Sequence, residues 1–280
     1  TYDGHIARVS IKDFKLIQQY KAAGIPFLYS DVSYDANQWT NEALSHTLGD
    51  GSFTFPVMTS HSNEFLYKKK PQKKKLYKKK RRKRQPFNQE EEEDDEKIEM
   101  TFDRWLQITN TSETQCIYCP HYYFILSIPI KHLTLPFSPN HYQYKLSQLT
   151  FLLSNFQLQR GEEKENKMKN KLFYAHPSQV RAVNCRFAQP AIFSTPHMDF
   201  GQNTIAVYRG SKRYIIWPPQ YCQHIYPFPK NHISARHSQV NWTSPDLNKH
   251  PLFQEIHATQ IVLTAGDILH LPSYWGHAVI

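Results

Sequence analysis

From Ser194 to Pro219 the chain reads STPHMDFGQNTIAVYRGSKRYIIWPP. Two apolar runs, Thr204 to Tyr208 and Arg213 to Trp217, flank Gly210-Ser211, and Pro218-Pro219 follows. Strand, tight turn, strand and stop is the plain reading. Similar short runs recur outward from it: Val180 to Phe187, Gln260 to Leu263 and Asp267 to Leu271, with Ala265-Gly266-Asp267 as a further turn signal. Many short strands joined by turns predict an antiparallel β sandwich or barrel.

The same stretch carries chemistry. His197 and Asp199 are two residues apart on an extended segment, so their side chains share a face. A second segment, Leu271-Pro-Ser-Tyr-Trp-Gly-His277, closes on another histidine. Two imidazoles and one carboxylate form the facial ligand set of non-haem Fe(II), which leaves three coordination positions open. A zinc hydrolase with these ligands is the chemical alternative. With 15 His in the chain, a lone His-x-Asp pair carries little weight, and the surroundings decide.

Those surroundings are Gln202-Asn203, then Gly210-Ser-Lys-Arg-Tyr-Ile-Ile-Trp-Pro-Pro219, Ser238-Gln-Val-Asn-Trp242, Ser244-Pro-Asp-Leu247, His250-Pro-Leu-Phe253 and Ala265 to His277. Together they resemble the Jumonji-C cupin-like oxygenases, and within them the branch of small hydroxylases. The resemblance is specific over 180–280 and weaker over 8–66 and 98–125. It implies a mainly β fold with flanking helices, built on a double-stranded β-helix, the cupin-like jelly roll. It implies an Fe(II)- and 2-oxoglutarate-dependent dioxygenase that consumes O2, with His197, Asp199 and His277 as both metal ligands and catalytic centre. Lys212 matches the family's lysine for the distal carboxylate of 2-oxoglutarate, a dicarboxylate that needs a cation in a partly dry pocket. Asn203 matches a polar residue beside the cosubstrate. Thr195 and Ser194 compete for the hydroxyl position before the His-x-Asp pair. Tyr123 matches loosely the tyrosine that bonds the same carboxylate. Trp275 and Tyr274 read as packing residues.

Ile11 to Ala23 has helical spacing at Ile11, Phe14, Ile17 and Tyr20, and Gly24 stops it. Ile25 to Tyr29 reads as a short strand, and Trp39 to Leu44 opens a second helix. Met100 to Leu106 resumes helical spacing. Residues 121–160 are rich in Tyr, Phe, Leu and Pro and admit either a packed element or an insertion. Between the helices lies a charge block. Lys68 to Arg84 holds 13 basic residues and Glu90 to Glu96 seven acidic ones. The formal net charge is +10, but outside 68–97 the chain has 20 basic and 17 acidic residues. The excess therefore belongs to one segment. Residues 67–97 read as a disordered insertion, because like charges repel and little there can be buried. The division expected is 1–66 as the N-terminal α/β part, 67–97 as the insertion and 98–280 as the catalytic core.

Several classes are excluded or demoted. Four cysteines make no disulfide scaffold. No apolar run approaches a bilayer span, and no phosphate-binding glycine loop occurs. Cys116, Cys119 and His121 offer an incomplete zinc set and read as ordinary thiols and a histidine. The chain ends three residues after His277, so a C-terminally truncated barrel is expected, with homodimerisation if the family's C-terminal region is present. A protein substrate is the preferred partner, with tRNA or other RNA second, and the location is nuclear or cytoplasmic. The reactions in order are protein side-chain hydroxylation, tRNA-base hydroxylation and histone lysine demethylation. Readings from other classes are an inactive cupin-like binding module and an RNA binder acting through 68–84.

Overall fold

The computed structural model describes residues 2–32, 36–48, 54–60, 64–65, 96–112, 121–129, 182–188, 190 and 192–280. Three sheets organise them. The first has the order β1 (Ala7–Ser10), β2 (Phe27–Ser30), β12 (Ile268–Leu271) and β9 (Asn203–Ala206). The second runs β11 (Thr259–Thr264), β10 (Ser211–Trp217), β13 (Gly276–Val279), β8 (Phe193–Met198) and β4 (Glu64–Phe65). The third runs β5 (Glu96–Met100), β3 (Phe55–Ser60), β6 (His121–Pro129) and β7 (Ala182–Ala188).

The first two sheets share one core. Leu28, Leu269 and Leu271 from the first meet Tyr214, Ile216 and Leu263 from the second, with Val207 and Trp275 between. This is a β-rich core of two facing sheets, as the strand pattern predicted and in keeping with the jelly roll that the resemblance implied. Pairing is antiparallel except β1 with β2 and β4 with β8.

Each sheet is covered on its other side by elements that the sequence dictates. Helix α1 (Phe14–Ala23) starts because the Asp13 carboxylate accepts the Leu16 N–H at 2.9 Å. It ends at Gly24, whose φ of +64° suits a residue without Cβ. Its buried Ile17 packs with Val9, Phe27, Tyr29 and Ile268 on the first sheet. Helices α2 (Asn41–Leu48) and α3 (Phe102–Ser112) begin on threonines: Thr40 Oγ1 accepts the Ala43 N–H, and Thr101 Oγ1 accepts the Arg104 N–H. Leu44, Leu48, Phe102 and Trp105 then cover Val57 of β3. Beyond the second sheet, Phe193, Met198, fully buried Trp217, Ile225 and Ala278 form a separate cluster, closed by the long 218–258 connection. Burying one such aromatic contributes about 2–3 kcal/mol.

The expected strands over 180–187, 204–208, 213–217, 260–263 and 267–271 are all present within a few residues. One boundary moves. Glu96 and Lys97, placed in the charged insertion on composition alone, open β5 opposite Thr59 and Met58. Pairing with β3 supplies what local sequence could not. The remainder of that insertion, 67–95, lies outside the described residues, as do Cys116, Cys119 and most of 121–178. Residues 121–129 of the undecided region form β6, paired with both β3 and β7.

Candidate metal centre

His197 lies near the end of β8, Asp199 just beyond it, and His277 on the neighbouring β13. The antiparallel register sets His197 opposite His277. One of their ring nitrogens each and one Asp199 carboxylate oxygen all lie within 4.8 Å of one another. His277 Nε2 is 3.9 Å from Asp199 Oδ2, and the two imidazole centroids are 4.1 Å apart. Two backbone features make this convergence. Between His277 and Val279 the pairing shifts: Val279 faces Ser194, so β8 spends three steps where β13 spends two. Such a bulge re-aims the side chains beside it. The Tyr274 N–H also donates to the Asp199 carbonyl at 2.7 Å, which ties the two ligand-bearing segments together.

The tautomers follow from the partners. His197 Nδ1 is 2.7 Å from the Thr195 carbonyl, and His277 Nδ1 is 3.1 Å from the Trp275 carbonyl. A carbonyl only accepts, so each Nδ1 carries the proton and each Nε2 presents a lone pair. Burial and the neighbouring His277 and His237 hold the His197 imidazole well below its usual range, and burial lowers His277 as well. Asp199 sits below the usual carboxylate value: burial opposes this, but the two imidazoles, Asn203 and Arg236 outweigh it. Two neutral imidazoles and one carboxylate are thus ready to bind a cation at neutral pH without shedding protons. The donor set fits a divalent first-row metal with open positions.

The other expected residues fall into place unevenly. Asn203 Nδ2 donates to Asp199 Oδ2 at 2.8 Å, the same oxygen that faces His277 Nε2. Lys212 lies on the same face of β10 as Tyr214, whose ring is 6.4 Å from that of His277. Thr195 is buried, with Oγ1 at 3.1 Å from His237 Nδ1. Ser194 is half-buried, one residue further from the trio. Tyr123 stands in β6 opposite Met58 and Ala188, and its side chain lies outside the described part of the structure.

Two residues at this site escaped the sequence reading. Arg236 Nη1 donates to Asp199 Oδ1 at 2.5 Å. The His237 ring stacks on His197 at 4.6 Å between centroids, with 12° between planes. Burial first, then the charge of Arg236, push His237 down to about 4. Nothing local marks either residue, which stand among 34 Lys and Arg and 15 His. The adjoining Ser238-Gln239-Val240 was the only pointer.

Trp275 and Gly24 show how the frame supports the site. The Trp275 indole N–H donates to the Gly24 carbonyl at 2.8 Å, and Tyr2 meets that indole edge-on at 4.9 Å. The end of α1 therefore braces the segment leading to His277.

Comparison with known proteins agrees with this architecture. The family model described as "Cupin-like domain" matches residues 18–280. The chain is 27% identical over 129 residues to the lysine-specific demethylase JMJ31 of Arabidopsis thaliana, which covers 42% of this chain and 24% of that protein. It is 33% identical over 96 residues to the mouse tRNA wybutosine-synthesizing protein 5, covering 34% and 29% of the two chains. With lysine-specific demethylase 8 of Xenopus tropicalis it shares 31% over 97 residues, or 35% and 22%. The matched stretches span less than a third of each relative. The family model, by contrast, covers most of this chain, and the chain belongs to the cupin-like, Jumonji-C-type family.

Proposed function

We propose that this protein is an Fe(II)- and 2-oxoglutarate-dependent oxygenase that hydroxylates a protein side chain. The convergence of His197 Nε2, Asp199 Oδ2 and His277 Nε2 carries the reading. These three would hold Fe(II), which supplies O2 activation coupled to oxidation of 2-oxoglutarate to succinate and CO2. The chain's own part is to bind, orient and exclude water. Lys212 would pair with the distal carboxylate of 2-oxoglutarate, and the Thr195 hydroxyl and Asn203 amide would support the polar end of the pocket. Tyr123 is the remaining candidate for that carboxylate. Tyr214, Ile216 and Trp275 are buried apolar residues of the core on or beside the β10 and β13 strands, and a low-dielectric surrounding of this kind would strengthen such charged contacts.

The decisive measurement is Fe(II)-dependent succinate formation from 2-oxoglutarate. The wild-type chain converts it, and His197→Ala does not. Equal succinate formation by both proteins would rule the reading out. Substrate class is separated by mass spectrometry. A gain of one oxygen on a peptide supports side-chain hydroxylation, the same gain on a tRNA digest supports base hydroxylation, and loss of methyl from lysine supports demethylation. The relatives' names include a tRNA-modifying protein and two demethylases, so all three arms belong in the experiment.

A further inference from the structure

The carboxylate of Asp199 is held from two sides. Asn203 takes Oδ2 at 2.8 Å, and Oδ2 is also the oxygen that faces His277 Nε2. Arg236 takes the other oxygen, Oδ1, at 2.5 Å. The same Nη1 reaches the Met198 carbonyl at 3.1 Å. The Arg236 carbonyl in turn accepts the Met198 N–H at 3.3 Å, so the arginine brackets the residue between His197 and Asp199. On its other side the guanidinium lies 5.2 Å over the Phe200 ring.

The backbone is built to put it there. Arg236 has φ of +79°, the left-handed region that a residue with Cβ enters only when its surroundings compel it. The compulsion is visible in the two residues that follow it. His237 bridges to His197, the Ser238 N–H donates to the Pro196 carbonyl at 2.8 Å, and Ser238 Oγ donates to the Ile225 carbonyl at 2.6 Å. A buried, hydrogen-bonded segment therefore pins Arg236 against the end of β8.

We infer that Arg236 is a positioning residue for the metal centre: it occupies Asp199 Oδ1, so the carboxylate presents Oδ2 alone to the ion. The terminal torsion of an aspartate is broad, and a free carboxylate swings or binds through both oxygens. Holding Oδ1 keeps the ligation monodentate, and this preserves the open positions that a facial three-ligand site needs. The inference rests on the metal reading proposed above and goes further, by assigning a role to a residue that is no ligand. Arginine suits the task because its Nη1 bonds the carboxylate and the Met198 carbonyl together while the planar guanidinium lies over the Phe200 ring, a placement that a compact ammonium does not reproduce.

The test uses the whole chain, metal-free, titrated with Co(II) and followed by its visible d–d absorption. Wild type, Arg236→Met and Arg236→Lys are compared. Arg236→Met is expected to bind Co(II) about 10–100-fold more weakly, with altered d–d bands. Arg236→Lys recovers part of the affinity, because it restores the charge but not the planar group that lies over Phe200. Thermal melting of the metal-free proteins separates local from global damage. If Arg236→Met fails to fold, Arg236→Lys decides: weaker Co(II) binding at unchanged melting supports the role, and wild-type affinity overturns it. Arg236→Met that folds and binds Co(II) as tightly as wild type, or more tightly, also overturns it. Wild type that takes up no Co(II) removes the metal reading itself, a different result from wild type binding while Arg236→Met binds equally.

Discussion

His270 and His277 stand seven residues apart on consecutive strands, and both are deeply buried, at 1% and 5% exposure. Burial lowers the basicity of both. Yet they do different things. His277 gives its Nδ1 proton to the Trp275 carbonyl and turns Nε2 toward Asp199. His270, on the first sheet, lies 5.0 Å from the Phe27 ring, and its Nδ1 has no hydrogen-bond partner among the described residues. Burial alone therefore does not mark a ligand. What marks one is a carbonyl that fixes the tautomer and a carboxylate that shares the free nitrogen.

The widest separation between the two comes from paired substitutions. His277→Ala removes one of the three proposed ligands and is expected to abolish stoichiometric Co(II) binding, read by the same d–d absorption. His270→Leu leaves Co(II) binding unchanged. If both lost the metal equally, through unfolding or otherwise, the contrast between the two sites would collapse.

Acid sharpens the contrast next. Burial, and after it the charge of Lys21, push His270 down to about 3 from an ordinary 6.5. Between those values the unfolded chain takes up a proton that the folded chain refuses. Stability is therefore complete above about pH 6.5 and falls as the pH drops toward 3, by on the order of 4–5 kcal/mol over the whole window. Against a typical total of about 5–15 kcal/mol, that is a large share. Urea unfolding of His270→Leu across pH 4–7 is expected to show a flatter acid limb than wild type, with the remaining slope set by His197, His237 and His277. Superimposable profiles would mean that His270 does not set the acid sensitivity.

Gly276 gives the third test, beside His277 itself. A Cβ built there meets Trp217 Nε1 at 1.9 Å and Cε2 at 2.1 Å. Trp217 is fully buried and has nowhere to swing. Gly276→Ala should therefore cost about 3 kcal/mol, the upper part of the overpacking range. Adding Trp217→Phe should return part of that loss, so the double substitution is less harmful than the sum of the singles. Strict additivity in melting temperature would show that the two residues do not share one space.

How much of this was readable without the fold depends on where the information sits. The turn at Gly210 and the strands on either side are written locally, as apolar alternation around a residue with φ of +72°. His197 and Asp199 were legible because their spacing is that of one face of a strand. His277 needed the resemblance, since 78 residues separate it from Asp199 and only the β8–β13 register closes the gap. The competition between Ser194 and Thr195 was undecidable in sequence, because a bulge changes which residue faces the site. Arg236 was invisible for a related reason. Its left-handed backbone is imposed by contacts of its neighbours to β8 and Ile225, not by its own residue type. Glu96 and Lys97 read as part of a charged run, and only pairing with β3 makes them strand.

The smallest effect belongs to the outer edge of the first sheet, far in kind from either histidine. Asp267 closes the turn before β12 by accepting the Thr264 N–H at 2.8 Å and the Thr264 hydroxyl at 2.9 Å, and Arg8 of β1 reaches its other oxygen at 3.1 Å. Burial works against the ionised form, but the Thr264 bonds and then Arg8 outweigh it, so the carboxyl titrates below its usual value. A lowered carboxylate stabilises the fold above its unfolded range and loses that contribution as the pH falls through its folded value. The arginine is 59% exposed, so water screens the pair. Arg8→Ala is then expected to cost no more than about 0.5 kcal/mol, while Asp267→Ala, which also removes the turn bonds, costs about 1–2 kcal/mol. Urea midpoints at pH 7 measure both. Arg8→Ala costing as much as Asp267→Ala would move the weight from the turn to the ion pair and make the β1 edge part of what holds β12, and with it His270, in place.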